Sequence, residues 1–207
     1  MRSDIATITS ELTHAGKILH KLGMVPATSG NLSARLNDRE IAITVSGVHK
    51  GYLTEQDIIV HTINGAYEGD KKPSAETELH LQLYRYDKDI NAVLHPHSPS
   101  ATLTRNLSTD RIELQGYELL KAFEGINSHE VKMEVPIFDN DQDIARLSRQ
   151  VGKYLDEHSD VKAYIIRGHG FYTWGRSIDR TLQHCEALEF LLQCEIKSAG
   201  TGNLKGN

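Results

Sequence analysis

Two histidines stand one residue apart in Ala92-Val93-Leu94-His95-Pro96-His97-Ser98, at the end of a short apolar run. In extended backbone alternate side chains share a face, so His95 and His97 can reach one metal ion together. Imidazole suits zinc, copper, iron and nickel, and zinc is the usual choice where no redox step is needed. His169 follows a second apolar run in Ala163-Tyr164-Ile165-Ile166-Arg167-Gly168-His169-Gly170 and is the third candidate. Three imidazoles and one open position make a catalytic Lewis-acid site, not a closed structural one. A plainer reading competes: the chain has 11 histidines, most of them necessarily surface or core residues. Pro96 also lacks an amide donor and disturbs a regular strand.

Three small polar clusters could cradle an anion: Thr28-Ser29-Gly30-Asn31, Ser46-Gly47 and Pro73-Ser74-Ala75. Hydroxyls, a carboxamide and free amides at strand and helix ends are what a phosphate group needs, and Lys50 could add one positive charge. Each cluster alone is equally well read as turn and capping chemistry. Glu76 falls in the first turn of the helix preceding His95, where the helix dipole favours a carboxylate. Its functional reading is an acid/base beside the metal or an additional ligand in the resting state. Glu118, in Gln115-Gly116-Tyr117-Glu118-Leu119-Leu120-Lys121, has no priority by pattern over other acidic residues.

The elements that must position these residues follow from periodicity. Ile5, Ile8, Leu12, Ala15, Leu19 and Leu22 predict an amphipathic helix over 4–22, capped by Ser3 or Asp4 and ended by Gly23. Strands are predicted over 41–45, 57–63, 92–95, 135–138, 163–167 and 170–174, with another entered after the polar turn at 27–31. Helices are predicted from Ser74 to Tyr86, over 99–105 and 115–123, and from Asp139 or Asp141 to about Glu157. A last helix runs from Ile178 to about Ser198, apolar over a wide face. Successive strands joined by short turns make the sheet mixed or antiparallel, not purely parallel. The expectation is one α/β domain over 1–199, three layers deep with a largely antiparallel central sheet between helices, and a disordered tail over 200–207.

Composition excludes several classes. The chain of 207 residues has a formal net charge of −5 and no basic stripe, which argues against nucleic acid. No stretch approaches the length of a membrane span, and the N-terminus lacks a secretory apolar run. Cys185 and Cys194 fall in one predicted helix, about 13 Å apart along its axis and beyond disulfide reach. They read as small apolar residues of a reducing compartment, so the cytoplasm is the expected location. There is no dinucleotide fingerprint, phosphate-binding loop or serine-hydrolase elbow.

Taken together, Ser29-Gly30-Asn31-Leu32-Ser33, Ser46-Gly47, Pro73-Ser74-Ala75-Glu76, His95-Pro96-His97 and Gly168-His169-Gly170 resemble the class II aldolase/adducin family in order and spacing. The resemblance spans about residues 4–198. It implies that family's three-layer α/β/α fold, one Zn2+ per subunit on His95, His97 and His169, and phosphate recognition by Thr28, Asn31, Ser46, Gly47 and Ser74. It also implies a sugar-phosphate substrate and a homotetramer with the site between subunits. The stretches Ser46–Gly51, Pro73–His80, Gln115–Lys121 and Pro136–Asn140 are similar to a dehydratase branch, which implies that Glu118 is the acid/base of a ketose-phosphate dehydration. Aldolases of the family use a glutamate at the position of Glu76, and this chain has both. Ala75 stands where aldolases often carry a second serine. Aldol cleavage, pentose-phosphate 4-epimerisation and a non-catalytic adducin-like interaction module are the alternatives.

Overall fold

The Schellman turn that closes the first helix shows how local sequence sets the architecture. In this computed structural model, which describes residues 4–67 and 69–201, α1 spans Ile5–Lys21. Asp4 caps its start, its side chain accepting from the Ala6 amide, while Ser3 lies outside the described residues. Gly23 at φ +73° lets its own amide reach the His20 carbonyl and the Met24 amide reach Leu19. A left-handed residue there satisfies carbonyls that the helix end leaves open, and glycine adopts it without a Cβ penalty.

The chain continues through β1 (Asn31–Arg35), β2 (Glu40–Thr44) and β3 (Ile58–Thr62), then α2 (Thr77–Tyr86) and β4 (Ala92–His95). Next come α3 (Pro99–Leu103), β5 (Arg111–Leu114), β6 (Met133–Phe138), α4 (Ile144–Glu157), β7 (Ala163–Ile166), β8 (Gly170–Gly175) and α5 (Ile178–Thr201). The eight strands form one sheet in the order β3-β2-β1-β4-β8-β7-β6-β5. Only β6 and β7 pair in parallel; the other neighbours are antiparallel. The three-layer α/β/α expectation with a mixed, largely antiparallel sheet therefore holds.

Alternation along the strands assigns the layers. Leu32, Ala34, Ala92, Leu94, Ala163, Ile165 and Phe171 pack in one core with α1, α3 and α5. Ile41, Ile43, Val93, Tyr164, Ile166 and Tyr172 pack in the other with α2 and α4. Because Val93 faces α2, His95 two positions on faces it as well. The strands with both faces buried read as continuous apolar runs.

Several boundaries differ from the sequence reading. Helix α2 starts three residues later than Ser74, because Pro73, Ser74 and Ala75 form a separate turn: the Ser74 carbonyl accepts from Thr77 and its hydroxyl from the Glu76 amide. Glu76 thus becomes the N-cap residue instead of a first-turn residue. Asp143 caps α4, while Asp141 accepts from the Asp143 amide and pairs with Arg146, and Asp139 pairs with Arg167. The helix expected over 115–123 shortens to a 3₁₀ turn at Glu118–Ala122, and β5 precedes it unpredicted. Helix α5 extends through Thr201, and the rest of the expected tail, 202–207, lies outside the described residues.

Candidate active site

The cluster is built on strand ends. His95 is the last residue of β4 and is registered opposite Asn31 of β1, which puts both side chains on the α2 face. Pro96 ends the strand, as its missing amide requires. The chain beyond it is still held: the His97 amide donates to the Met24 carbonyl at 2.8 Å, and the Phe171 amide to the Pro96 carbonyl at 3.2 Å. His169 sits in the tight turn between β7 and β8, whose glycine Gly168 has φ +69°.

Three Nε2 atoms converge. His95 and His97 Nε2 lie 3.0 Å apart, as do those of His97 and His169. Glu76 joins from the N-cap of α2, with Oε1 3.0 Å from His169 Nε2 and Oε2 3.5 Å from His95 Nε2. One ligand atom from each of these four residues lies within 4.8 Å of all the others. Asn31 Nδ2 donates to Glu76 Oε2 at 2.5 Å and so aims the carboxylate.

This donor set fits a divalent cation. His95 Nδ1 faces the Phe171 carbonyl at 2.8 Å, and a carbonyl only accepts, so the proton sits on Nδ1 and the Nε2 lone pair points into the cluster. Three imidazole Nε2 atoms crowded together beside a carboxylate suit a shared divalent cation. Burial and the neighbouring histidines push His97 down to about 3, so it is a neutral ligand at ordinary pH. Burial acts to raise Glu76, but the His95 and His169 rings beside it outweigh that and hold the carboxyl well below the usual range.

The surroundings make the geometry rigid. The Tyr172 ring stacks on His95 at 4.0 Å between centroids, and Tyr164 stacks on Tyr172 at 4.8 Å. A Cβ on Gly170 would overlap the Pro96 carbonyl and lie 2.9 Å from His95 Cε1; one on Gly30, at φ +79°, would lie 2.8 Å from the His95 carbonyl. Behind Glu76, His80 is fully buried, with Nδ1 2.7 Å from the Ser33 hydroxyl, which also meets Tyr84 at 2.9 Å. Desolvation lowers His80 to about 3. The sequence reading missed His80, Ser33, Tyr172 and the Asn31–Glu76 contact; the four-residue spacing of Glu76 and His80 was the available signal.

The anion candidates gather along one side. Residues 46–47 and 73–74 become neighbours because Val45 bridges Pro73 and the Ser46 amide donates to the Lys72 carbonyl. Ser46 and Gly47 are exposed, and Gly47 has φ +76°. The Lys50 ammonium ties this loop to the first one, donating to the Val48 carbonyl at 2.7 Å and the Thr28 carbonyl at 3.1 Å. Lys50 is only 1 % exposed, and burial pulls it down to about 8 against the raising effect of Glu76. Glu118 does not join the cluster within one chain. Its side chain is 74 % exposed and meets Lys121 at 2.5 Å and His129 at 3.7 Å.

The family model of the Class II Aldolase and Adducin N-terminal domain matches residues 10–196, and the chain belongs to that family. The chain is 50 % identical over 198 residues to a methylthioribulose-1-phosphate dehydratase of Methylococcus capsulatus, covering 96 % of this chain and 97 % of that one. It is 52 % identical over 194 residues to the enzyme of the same name from Azotobacter vinelandii, covering 93 % and 94 %. Among solved structures, the l-fuculose-1-phosphate aldolase from Thermus thermophilus superposes with a TM-score of 0.77 at 23 % identity, over 95 % of this chain and 97 % of that one, a likeness of fold.

Proposed function

We infer that this chain dehydrates 5-methylthioribulose 1-phosphate to 5-methylthio-2,3-dioxopentyl phosphate, a hydro-lyase step of methionine salvage. The observation that carries this is the convergence of His95, His97, His169 and Glu76 in a chain half identical, nearly end to end, to dehydratases of that name. The three histidines would hold one Zn2+ per chain, the metal that imidazole donors suit when no redox change is needed. When bound, zinc supplies Lewis-acid polarisation of the ketose C2 carbonyl.

The remaining work belongs to the protein. Thr28, Ser46, Gly47 and Ser74 offer hydroxyls and amides to the phosphate, Asn31 keeps its second amide hydrogen for it, and Lys50 lends charge from below. Glu76, fixed by Asn31, lines the centre as an ionised carboxylate and is the second acid/base candidate. Glu118 takes the C3 proton and returns it to the leaving C4 hydroxyl, so that water departs; the enol then tautomerises to the 2,3-diketone. Lys121 holds Glu118 ionised, which suits a group that begins as a base. Its exposure supports service to the site of a neighbouring subunit in a homotetramer, as does the 39 % exposure of Leu119 beside it. Cytoplasmic residence belongs to the same reading and agrees with the free thiols Cys185 and Cys194. Among the described residues no helix is long and apolar enough to cross a membrane.

Glu118→Gln is expected to bind zinc normally and lose about 10²- to 10⁴-fold in turnover, the usual contribution of a positioned acid/base. His97→Ala is expected to lose both metal and activity. Zinc content measured with turnover on the same samples checks both, and near-wild-type rates in Glu118→Gln would remove its role. The place of Glu76 among the histidines favours one second reading, cleavage or epimerisation at C3–C4 with Glu76 as the acid/base. A panel of ketose phosphates separates the two, since only dehydration releases water with the carbon chain intact. A non-catalytic module need hold no stoichiometric zinc.

A further inference from the structure

The ligands come from two separate strand ends. The β4–β8 ladder is registered as far as Leu94 opposite Thr173 and stops short of the histidines. Beyond it, the His95 turn and the His169 turn are joined by the Phe171 amide on Pro96 and by the His95 ring on the Phe171 carbonyl. Both contacts orient His95. Neither fixes His169, whose outer ring nitrogen Nδ1 is buried without a hydrogen-bond partner among the described residues. A ligating histidine normally has that nitrogen anchored, which sets the ring. His169 therefore depends on how its backbone is held.

The His169 amide donates to the Ile166 carbonyl at 3.0 Å within the turn, and one side chain from outside the turn holds the His169 carbonyl. Thr102 Oγ1 lies 3.2 Å from the His169 carbonyl and 2.9 Å from the Ser98 carbonyl, sharing one hydroxyl hydrogen between them. Ser98 follows His97 directly and caps α3, its hydroxyl accepting from the Ala101 amide. One hydroxyl thus spans both ligand loops, whose histidines His97 and His169 stand 72 residues apart in sequence. The same short helix is braced from its other side. Ser100, two positions from Thr102 and so on the opposite helical face, donates to Glu189 Oε1 at 2.8 Å. Glu189 is 8 % exposed on α5 and also accepts from Gln193 at 3.0 Å. Just past α3, the Arg105 Cβ lies 3.2 Å from where a Cβ on Gly168 would stand, so this segment also packs on the turn.

We propose that Thr102 is a positioning residue of the metal centre: its hydroxyl sets the His169 turn against the His97 loop, and Glu189 through Ser100 holds the helix that carries it. This rests on the metal reading above. Removing such a support from a ligand costs about 10- to 100-fold in metal affinity.

The test is zinc affinity of the full-length protein, stripped of metal and titrated against a chromophoric chelator, for wild type, Thr102→Val and Thr102→Ser. Thr102→Val keeps the shape and deletes the hydroxyl; about tenfold or greater weakening is expected, with the cobalt(II)-substituted absorption bands altered. Thr102→Ser restores the hydroxyl and is expected to return affinity to within about threefold of wild type. Equal affinity in Thr102→Val overturns the proposal, as does equal weakening in both variants, which would point to packing. If Thr102→Val does not fold, Ser100→Ala frees α3 from Glu189; weakened zinc binding supports the proposal, and unchanged binding overturns it. Wild type that takes up no zinc at all would sink the metal reading itself, a result distinct from these.

Discussion

At the scale of single residues, the centre works by fixing lone pairs. The Phe171 carbonyl decides the tautomer of His95, Asn31 aims Glu76, and the Tyr172 ring braces His95 from behind. His80 is a neutral histidine kept behind this wall, and it has a consequence in acid. Its ordinary value of 6.5 falls to about 3 in the folded chain because burial excludes the charged form. Between those values the unfolded chain binds a proton that the folded one refuses, so stability is full above about 6.5 and is lost as the pH falls toward 3. The urea midpoint of metal-free protein is expected to drop through that window, and less steeply in His80→Gln. An identical slope in the variant would assign the acid sensitivity elsewhere. The three histidines were legible because their spacing and flanking apolar runs are local features. His80 and the Asn31–Glu76 contact were not, since they exist only once β1 lies beside β4 and α2 closes over both.

At the scale of elements, turns carry the precision, and two glycines separate stability from site geometry. Gly23→Ala places an L side chain in left-handed backbone, with no atom of the described residues within 4 Å to strike. It is expected to cost about 1–2 kcal/mol in denaturant unfolding and to leave zinc affinity intact. Gly170→Ala drives a methyl into the Pro96 carbonyl and the His95 ring. About 1–3 kcal/mol of destabilisation is expected together with weaker zinc binding, the overpacking cost falling on the ligands themselves. Intact zinc affinity in Gly170→Ala would show that the β4 end moves freely. Helix α1 and strand β4 were readable almost to the residue, because a strong apolar period and clear end signals agree. Helix α2 was misplaced at its start because Ser74 caps a turn that looks like a helix cap in sequence. Strand β5 escaped notice although Arg111-Ile112-Glu113-Leu114 alternates, its four residues being too few to outweigh the neighbouring helical pattern.

At the scale of the molecule, Glu118 is the informative outlier. In one chain it points to solvent with Lys121 and His129, whereas the proposed chemistry needs it at a metal centre. Assembly resolves this if each site takes its histidines from one subunit and its glutamate from the next. Mixing His97→Ala and Glu118→Gln subunits after reversible dissociation then restores activity, to about a quarter of wild type for random reassociation, because some sites receive both intact contributions. Two inactive variants that stay inactive when mixed would place both residues in one subunit. Sequence could suggest a partner only through the family resemblance and the broad apolar face of the last helix; the folded chain leaves Leu119 and Phe190 39 % and 55 % exposed. It could not say which surface meets which, because that depends on the folded shape of both copies.

The 72-residue gap between His97 and His169 carries a last consequence. An ion gripped by both would act as a clasp across a corner where strand pairing has already run out, tightening the fold by mass action as metal becomes available. Chelation should therefore loosen that corner ahead of the rest: amide exchange at His97 and Phe171 would quicken while the β1–β2 ladder stays protected. The melting point of this chain would then report, in part, how much metal surrounds it.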